Sequence, residues 1–407
     1  MARDPLRLPV PVLDRAGVRY HRRVPTQTLT IGSVALGLAF DDSLHLDLGP
    51  EHPSRTGLLL ASVETDGEQV TACRIQPGYN HRSAEKLFEA RDYRQLLMLA
   101  DRHDWHSPFS GELGAALVCE HLMGLVPPLR ASWLRMLLAE QARVASNLAH
   151  LSFVARRLDQ DSPVLQTRLR ALRKECRELT LAASGNRVHP MLNRLGGLAG
   201  DLDADLLASF GQWFKKSAEV AAELDERLAG NGLGAGLGVI DEAFVNAFGL
   251  SGPVAQAVGL PRELRLSNPY LCYGELADEL RAALGSLPQQ GDAQARFQML
   301  CRQVELSARI AQRVLVELEA VDGPVDTKLS KIIKIPESKA YLAIEAPWGM
   351  AGFHLVSRAE RTPWRLKLRT PSFANVQALE AVLPGTPLDE LEVVVASLGW
   401  TNGDLDK

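Results

Sequence analysis

The chain has 407 residues, 46% of them hydrophobic and 23% charged, proportions that exclude wholesale disorder and fit a folded globular protein. Its 45 Lys and Arg against 49 Asp and Glu leave a formal charge of −4, too little basic field to hold a phosphate backbone, so nucleic acid is not an expected partner. Cys73, Cys119, Cys176, Cys272 and Cys301 stand far apart with no C-x-x-C pair, a spacing that builds no zinc or iron–sulfur site from neighbouring ligands and suits a reduced chain. Met1–Val12 lacks an apolar core of signal-peptide length, and Ile31–Phe40 and Leu113–Leu125 are too short or too interrupted to span a bilayer. The expectation is a soluble, intracellular polypeptide that reaches a membrane only by docking.

Taken in order, the chain reads as strands from about Leu44 to Ile75. Leu58–Glu64 and Gln69–Ile75 flank Asp66-Gly67, a pair suited to a hairpin turn. Helical spacing then dominates, in Ser83–Ala100, Leu113–Met123, Ser132–Leu158, Val164–Ser184, Leu206–Leu228 and Asp292–Leu318. Trp133–Leu138 and Val144–Val154 are apolar on most faces, the mark of a helix central in a bundle. Short extended runs return at Ala340–Glu345, Phe353–Ser357 and Arg365–Arg369, followed by two short helical patterns. The fold class expected is α+β, mainly α: a β region with a hairpin over 49–82, a central helical bundle over 83–330, and a small β element with C-terminal helices over 331–407.

Four constellations invite chemistry. The run Gly230–Gly238 lacks the preceding strand that a dinucleotide fingerprint needs, and reads as a helix-terminating loop. His103 and His106 beside Asp101 and Asp104 have the spacing of one helical face. Trp105-His106-Ser107-Pro108, however, is also what a helix end looks like, and no metal is assigned. In Gly78–Leu87, Ser83 is placed to cap a helix, with His81 and Arg82 just outside it. Asn186–Gly197 again puts Arg187, His189 and Arg194 in an irregular segment. Loops of this kind between apolar helices are where function commonly sits, surface salt bridging being the plainer alternative.

With these residues in view, the sequence resembles the D subunit of NADH:quinone oxidoreductase, respiratory complex I, and more broadly the nickel–iron hydrogenase large-subunit lineage. Gly49-Pro50-Glu51-His52-Pro53 is similar to the family's G-P-Q-H-P, and Asn80–Leu87 to L-H-R-G-T-E-K-L. Asp101–Pro108 is similar to D-R-L-D-Y-V-S-P, and Arg187–Gly197 to R-M-H-A-A-Y-I-R-P-G-G. Ile344–Pro347 and Arg369–Ala374 resemble I-E-A-P and R-T-P-S-F-A. The resemblance runs in order from Gly49 to Lys407 and leaves 1–48 as an N-terminal extension.

The resemblance implies a peripheral-arm subunit that binds no cofactor alone. NADH, flavin and iron–sulfur clusters would lie on partner subunits, with quinone as substrate in a crevice shared with a small iron–sulfur subunit. Membrane-arm subunits would couple the electron transfer to proton translocation, at the cytoplasmic side of a bacterial cell membrane. His52, Thr56, Trp105 and Ser107 become quinone-pocket candidates; His81, Arg82, Arg187, His189 and Arg194 become near-cluster or interface candidates. The positions of the four hydrogenase nickel cysteines fall on Asp104, Ser107, Thr401 and Asp404, which leaves no thiolate for nickel. The family's two quinone ligands, a His and a Tyr, are here Thr56 and Trp105, and a linked Asp is Arg157. A nickel-free hydrogenase-related complex with another acceptor, and a purely structural scaffold subunit, are the alternative readings.

Overall fold

The computed structural model describes residues 26–32, 43–49, 52–55, 57–159 and 163–407. Near the N-terminus β1 (Thr26–Gly32), β2 (Ser43–Leu46), β3 (Leu58–Thr65) and β4 (Val70–Gln76) form one sheet in the order β2-β1-β3-β4. The β3–β4 hairpin closes over Asp66–Gln69, where the Asp66 carboxylate accepts from the Glu68 and Gln69 amides at 3.0 and 2.9 Å, and Gly67 takes φ +102°. Strand β1 lies in the middle of this sheet, with Leu29 opposite Ala61, so the sheet extends past the start of the 49–82 region into the segment read as an extension. The reason is pairing: β3 has two edges, and β4 satisfies only one.

Short helices α1 (Ala84–Phe88) and α2 (Tyr93–Ala100) divide the single expected pattern Ser83–Ala100. The break is chemical, since Asp92 caps α2 by accepting from the Arg94 and Gln95 amides. Ser83 precedes α1 but does not cap it with its side chain. It adopts φ 56°, ψ 40°, and its carbonyl instead accepts from the Lys86 and Leu87 amides. Helix α3 (Pro108–Met123) begins five residues before the apolar pattern shows it, with proline at its first position, where no amide hydrogen is needed.

The bundle proper is α4 (Leu129–Leu158), α5 (Val164–Ser184), α6 (Ala204–Asn231) and α11 (Ala293–Ala320), with the shorter α7 (Glu242–Phe248), α8 (Gly252–Gln256), α9 (Leu264–Ser267) and α10 (Ala277–Leu284) wrapped around one end. Helix α4 is the axis and touches α3, α5, α6 and α11, which is why its apolar residues do not keep to one stripe. Helix α5 is amphipathic: Leu165, Leu169, Leu172, Cys176 and Leu179 face the core, each Leu contributing roughly 1.5–3 kcal/mol of burial. Helix α6 ends where Gly232 turns left-handed at φ +75°, so the glycine run terminates a helix. Among the described residues no helix is long and apolar enough to cross a membrane.

Strands β5 (Asn193–Arg194) and β6 (Gly197–Leu198) pair as a two-residue ladder, and β7 (Ser338–Ala346), β8 (Gly349–Ser357) and β9 (Arg365–Arg369) make the second large sheet, antiparallel throughout. It lies close on α3: a Cβ on Gly114 would stand 2.0 Å from the Phe353 ring. Helices α12 (Pro371–Val382), α13 (Leu391–Ser397) and α14 (Asn402–Leu405) return the C-terminus to the first sheet. There Val70 exchanges backbone hydrogen bonds with Thr386 and Gly385.

A buried ionic network joins bundle to second sheet. Glu140 on α4 accepts from Arg265 at 3.0 Å, from Ser307 at 2.6 Å and from the Tyr273 hydroxyl. Arg265 also grips Glu263, and Arg143 donates to the Glu345 and Ala346 carbonyls. The two guanidinium groups are matched by Glu140 and Glu263, whose carboxyls their charge pulls down against the cost of burial. Glu345 is the third carboxyl. Burial first, then Glu263, pushes it up to about 8, so it carries a proton at neutral pH. Unfolded, it would lose that proton near 4.5; its contribution is therefore full below about 4.5 and is lost as pH rises through about 8. Glu345→Gln is expected to flatten this slope and to raise the melting temperature at pH 8.5 by about 2–4 °C, measured by thermal unfolding of the purified protein between pH 5.5 and 9.

Candidate functional site

Four segments converge on one region: the loop 78–83, the turn 101–107 between α2 and α3, the loop 187–197 and the C-terminus from Trp400 to Lys407. Each is fastened by buried or half-buried carboxylates. Asp406 accepts from the Gly78 and Asn80 amides at 2.7 and 2.8 Å and from the Asn80 side chain at 3.2 Å. Glu112 on α3 accepts from the Met191 and Asn193 amides at 2.6 and 2.9 Å, and burial pushes it up to about 7. Glu120 holds the Gly196 amide and a bidentate Arg135. These backbone-gripping acids explain how irregular segments hold a fixed shape.

Two hollows flank Trp105. On one side is an open basin of about 650 Å³, whose lining includes Arg82, Arg102, His103, His189, Asp406 and Lys407. On the other is a cleft of about 140 Å³ between α4, α5 and the 187–192 loop, lined by Phe109, Leu138, Ala142, Ala145 and Leu192 with Arg173, Arg177, Arg187 and His106. Trp105 belongs to both linings. Its indole nitrogen is buried and has no hydrogen-bond partner. Behind its ring stands Gly403, where a Cβ would come within 2.1 Å of the indole.

Beneath the turn lies an acid pair. Asp104 and Asp404 are both buried, and the Asp104 carboxyl is pushed up to about 7, by burial first and then by Asp404. The backbone amides of His106 and Ser107 donate to Asp104, Ser372 donates its amide to Asp404, and His103 Nε2 lies 3.5 Å from Asp404. Thr401 faces Asp104 and donates its amide to Ser372. Of the four positions that the resemblance set against nickel cysteines, Asp104, Thr401 and Asp404 stand together, while Ser107 reaches Asp104 through its amide and turns its hydroxyl to Ser110. Among the described residues no group of three or more His, Cys, Asp or Glu is arranged to hold a metal.

The expected site residues separate. Arg82 and His189 share the basin, and His189 lies 3.5 Å from the buried Asp101. His81 is exposed, its ring tied to the Asp406 carbonyl at 2.9 Å. Arg187 faces the cleft instead, and Arg194 donates to the Met191 and Asn193 carbonyls of its own loop. Ser107 is buried against Ser110 at 2.6 Å and lines neither hollow. His52 also lines neither. It is buried, bonded to Ser54 Oγ at 2.8 Å and packed on His150 with ring centres 4.3 Å apart, and burial holds it well below the usual imidazole range. His106 is lowered to about 4, by burial and then Arg177. Thr56 lies outside the described residues. Arg157, with Arg156, pairs with Glu392 on α13, so its charge is answered by a partner the sequence did not point to.

Sequence reasoning missed Asp406, Glu112, Arg173, Arg177 and His150. For Arg173 and Arg177 a signal existed, since Arg170, Arg173 and Arg177 recur at three and four residues and so share a helical face. Asp406 gave none, being one acid in a terminal tail. Its role is testable: Asp406→Ala removes three hydrogen bonds, each worth roughly 1 kcal/mol. Amide exchange at 78–83 is expected to speed up at least about tenfold by hydrogen–deuterium mass spectrometry, with 187–197 unchanged.

Comparison with known proteins gives consistent findings. Residues 165–407 match the family described as respiratory-chain NADH dehydrogenase, 49 Kd subunit. The first of the NADH-quinone oxidoreductase D subunits of Streptomyces coelicolor is 41% identical over 396 residues, covering 94% of this chain and 100% of the relative. The second such D subunit of Salinispora arenicola is 40% identical over 383 residues, 93% of this chain and 98% of its own length. The first D subunit of the same enzyme in Chloroherpeton thalassium is 30% identical over 436 residues, 98% of this chain and 97% of the relative.

Proposed function

Because this chain belongs to the 49 kDa subunit family of the respiratory-chain NADH dehydrogenase, we propose that it presents an acceptor quinone to Trp105, between a basin covered by a small iron–sulfur subunit and the apolar cleft. At the coarser level, the chain is a peripheral subunit of a complex I-type NADH-quinone oxidoreductase and works with partner subunits. The observation that carries the finer reading is the position of Trp105 as the common wall of both hollows, with an unpartnered buried N–H. A quinone carbonyl accepts such a donor, and the indole face adds about 0.5–1.5 kcal/mol of stacking to burial.

The two sides of Trp105 suit different partners. The basin is broad, open and cationic at Arg82, while Arg102 is paired with the buried Asp101 at 2.6 Å; a guanidinium beside an iron–sulfur cluster stabilises its reduced, more negative state and raises its potential. The cleft is small and apolar, about the size of an engineered cavity that admits a benzene ring. In this reading electrons from NADH pass through flavin and clusters on partner subunits, cross at Trp105 and reduce the quinone. Membrane-arm subunits use the energy to move protons, and the chain sits peripherally at the cytoplasmic side of a bacterial membrane.

Trp105 cannot supply a proton at ordinary pH, and His52 and His106 are neutral there. The Asp104–Asp404 pair is the better store: like charges in a buried site cannot both ionise, so one proton stays on the pair up to about pH 7. Among the described residues His103, Arg369 and Lys407 interact electrostatically with Asp404, and Asp101 stands near His103.

Quinone-reductase assays on the assembled complex test this. Trp105→Ala is expected to raise the KM for quinone at least about tenfold, while Trp105→Tyr keeps most of the affinity. The unmodified complex is expected to lose rate as pH rises through about 7, and Asp104→Asn is expected to abolish that dependence. If neither position alters rate or affinity for any quinone, the chain is a scaffold here. Separately, Arg82→Met is expected to lower the midpoint potential of the neighbouring cluster in a redox titration; an unchanged value places Arg82 away from it.

A further inference from the structure

The apolar cleft carries charge of one sign only. Its lining includes Arg173, Arg177 and Arg187 and no carboxylate. The acids of α5 are engaged elsewhere: Glu175 takes Lys216 at 2.9 Å, and Glu178 lies 3.6 Å from Lys174. Among the described residues neither Arg177 nor Arg187 has an ion pair or hydrogen bond, although both are exposed at the mouth. Arg173 reaches further in; burial first and Arg177 second lower it to about 10, which leaves it cationic at neutral pH. The remaining titratable groups add nothing to this field, since His106 is neutral and burial pushes the Cys176 thiol up to about 11.

Arg177 and Arg187 thus stand without an ion partner among the described residues at the edge of a ring-sized apolar hollow, where a negative charge that enters would meet both. Guanidinium groups at the edge of a low-dielectric wall attract an anion far more strongly than they would in water. A neutral quinone gains only burial and stacking there. A quinoid ring with negative charge on its oxygens gains both these and the charge. We propose that this cleft selects a quinoid ring in its anionic form, with Arg177 and Arg187 as the specificity-determining residues. The inference rests on the quinone reading above and deepens it, because a quinone that has accepted electrons also bears negative charge on its ring oxygens.

The test uses the assembled complex and two probes that share one ring. 2-Hydroxy-1,4-naphthoquinone is an anion at neutral pH, whereas its 2-methoxy ether has no acidic proton. Binding by isothermal titration and inhibition of quinone reduction are measured for both. At pH 7.5 the hydroxy compound is expected to bind about tenfold tighter than the ether. Arg177→Ala and Arg187→Ala are each expected to cut that preference to about threefold, while Arg177→Lys, which keeps the charge, retains most of it. Acidification that protonates the hydroxy compound is expected to erase the preference in the unmodified complex, since the arginines stay charged. Equal binding of the two probes at pH 7.5, or a preference untouched by both alanine substitutions, overturns the inference. If both probes compete with quinone equally, the quinone site stands and anion selection falls. If neither binds nor competes, the quinone reading falls with it. Should an alanine variant fail to assemble, the comparison of probes and the pH arm in the unmodified complex decide.

Discussion

The arrangement of this molecule hangs on the carboxylate of Glu140, buried at the centre of the bundle. A carboxylate taken out of water is tolerable only when charge and hydrogen bonds surround it, and here they come from three elements: Arg265 at α9, Tyr273 beyond it and Ser307 on α11. Arg143, one turn along α4, extends the network to the Glu345 and Ala346 carbonyls. It thereby fixes the end of β7 against the bundle. The β7–β8 turn carries Trp348, and Asn375 on α12 donates to the carbonyls of Trp348 and Gly399. From Gly399 the chain runs directly into the segment that holds Asp404 and Asp406. A network that lines neither the basin nor the cleft therefore decides where the functional C-terminus lies.

The site that results divides its charges by depth. Acids are buried and used as clamps on backbone amides, as Glu112, Glu120 and Asp406 show, or held as a pair that keeps one proton, as in Asp104 with Asp404. Arginines stand at the rims, Arg82 and Arg102 toward the basin, Arg177 and Arg187 toward the cleft. Histidines His52, His106 and His150 lie between and are neutral, because burial opposes their charging. This order puts cationic rims on either side of Trp105, with a buried acid pair behind them.

Much of the fold was legible along the chain. Periodicity located α5 to the residue and placed α4, α6 and α11 within a few residues, because a long amphipathic or wholly apolar run has few alternatives. It missed the break at Asp92 and the start at Pro108, where capping chemistry rather than periodicity sets the boundary. The hairpin β3–β4 was legible from its turn residues. The membership of β1 in the same sheet was not, since pairing is a choice among partners distant in sequence.

Of the candidate site, irregular loops carrying Arg and His pointed to Arg82 and His189, while Trp105 entered as a candidate only through the family resemblance. Local order in the sequence could not separate Arg187 from Arg194, seven residues apart in one loop, because which way each guanidinium turns depends on carbonyls that only the folded loop presents. Nor could it tell that His52 lies packed on His150 or that Asp404 stands beside Asp104. The sequence by itself determined which segments are helix, strand or loop and which chemical groups are at hand. The tertiary structure alone decided which of those groups share a hollow, which are buried, and therefore which carry charge. Protonation and contact depend on distance and dielectric, and neither is written in the order of residues.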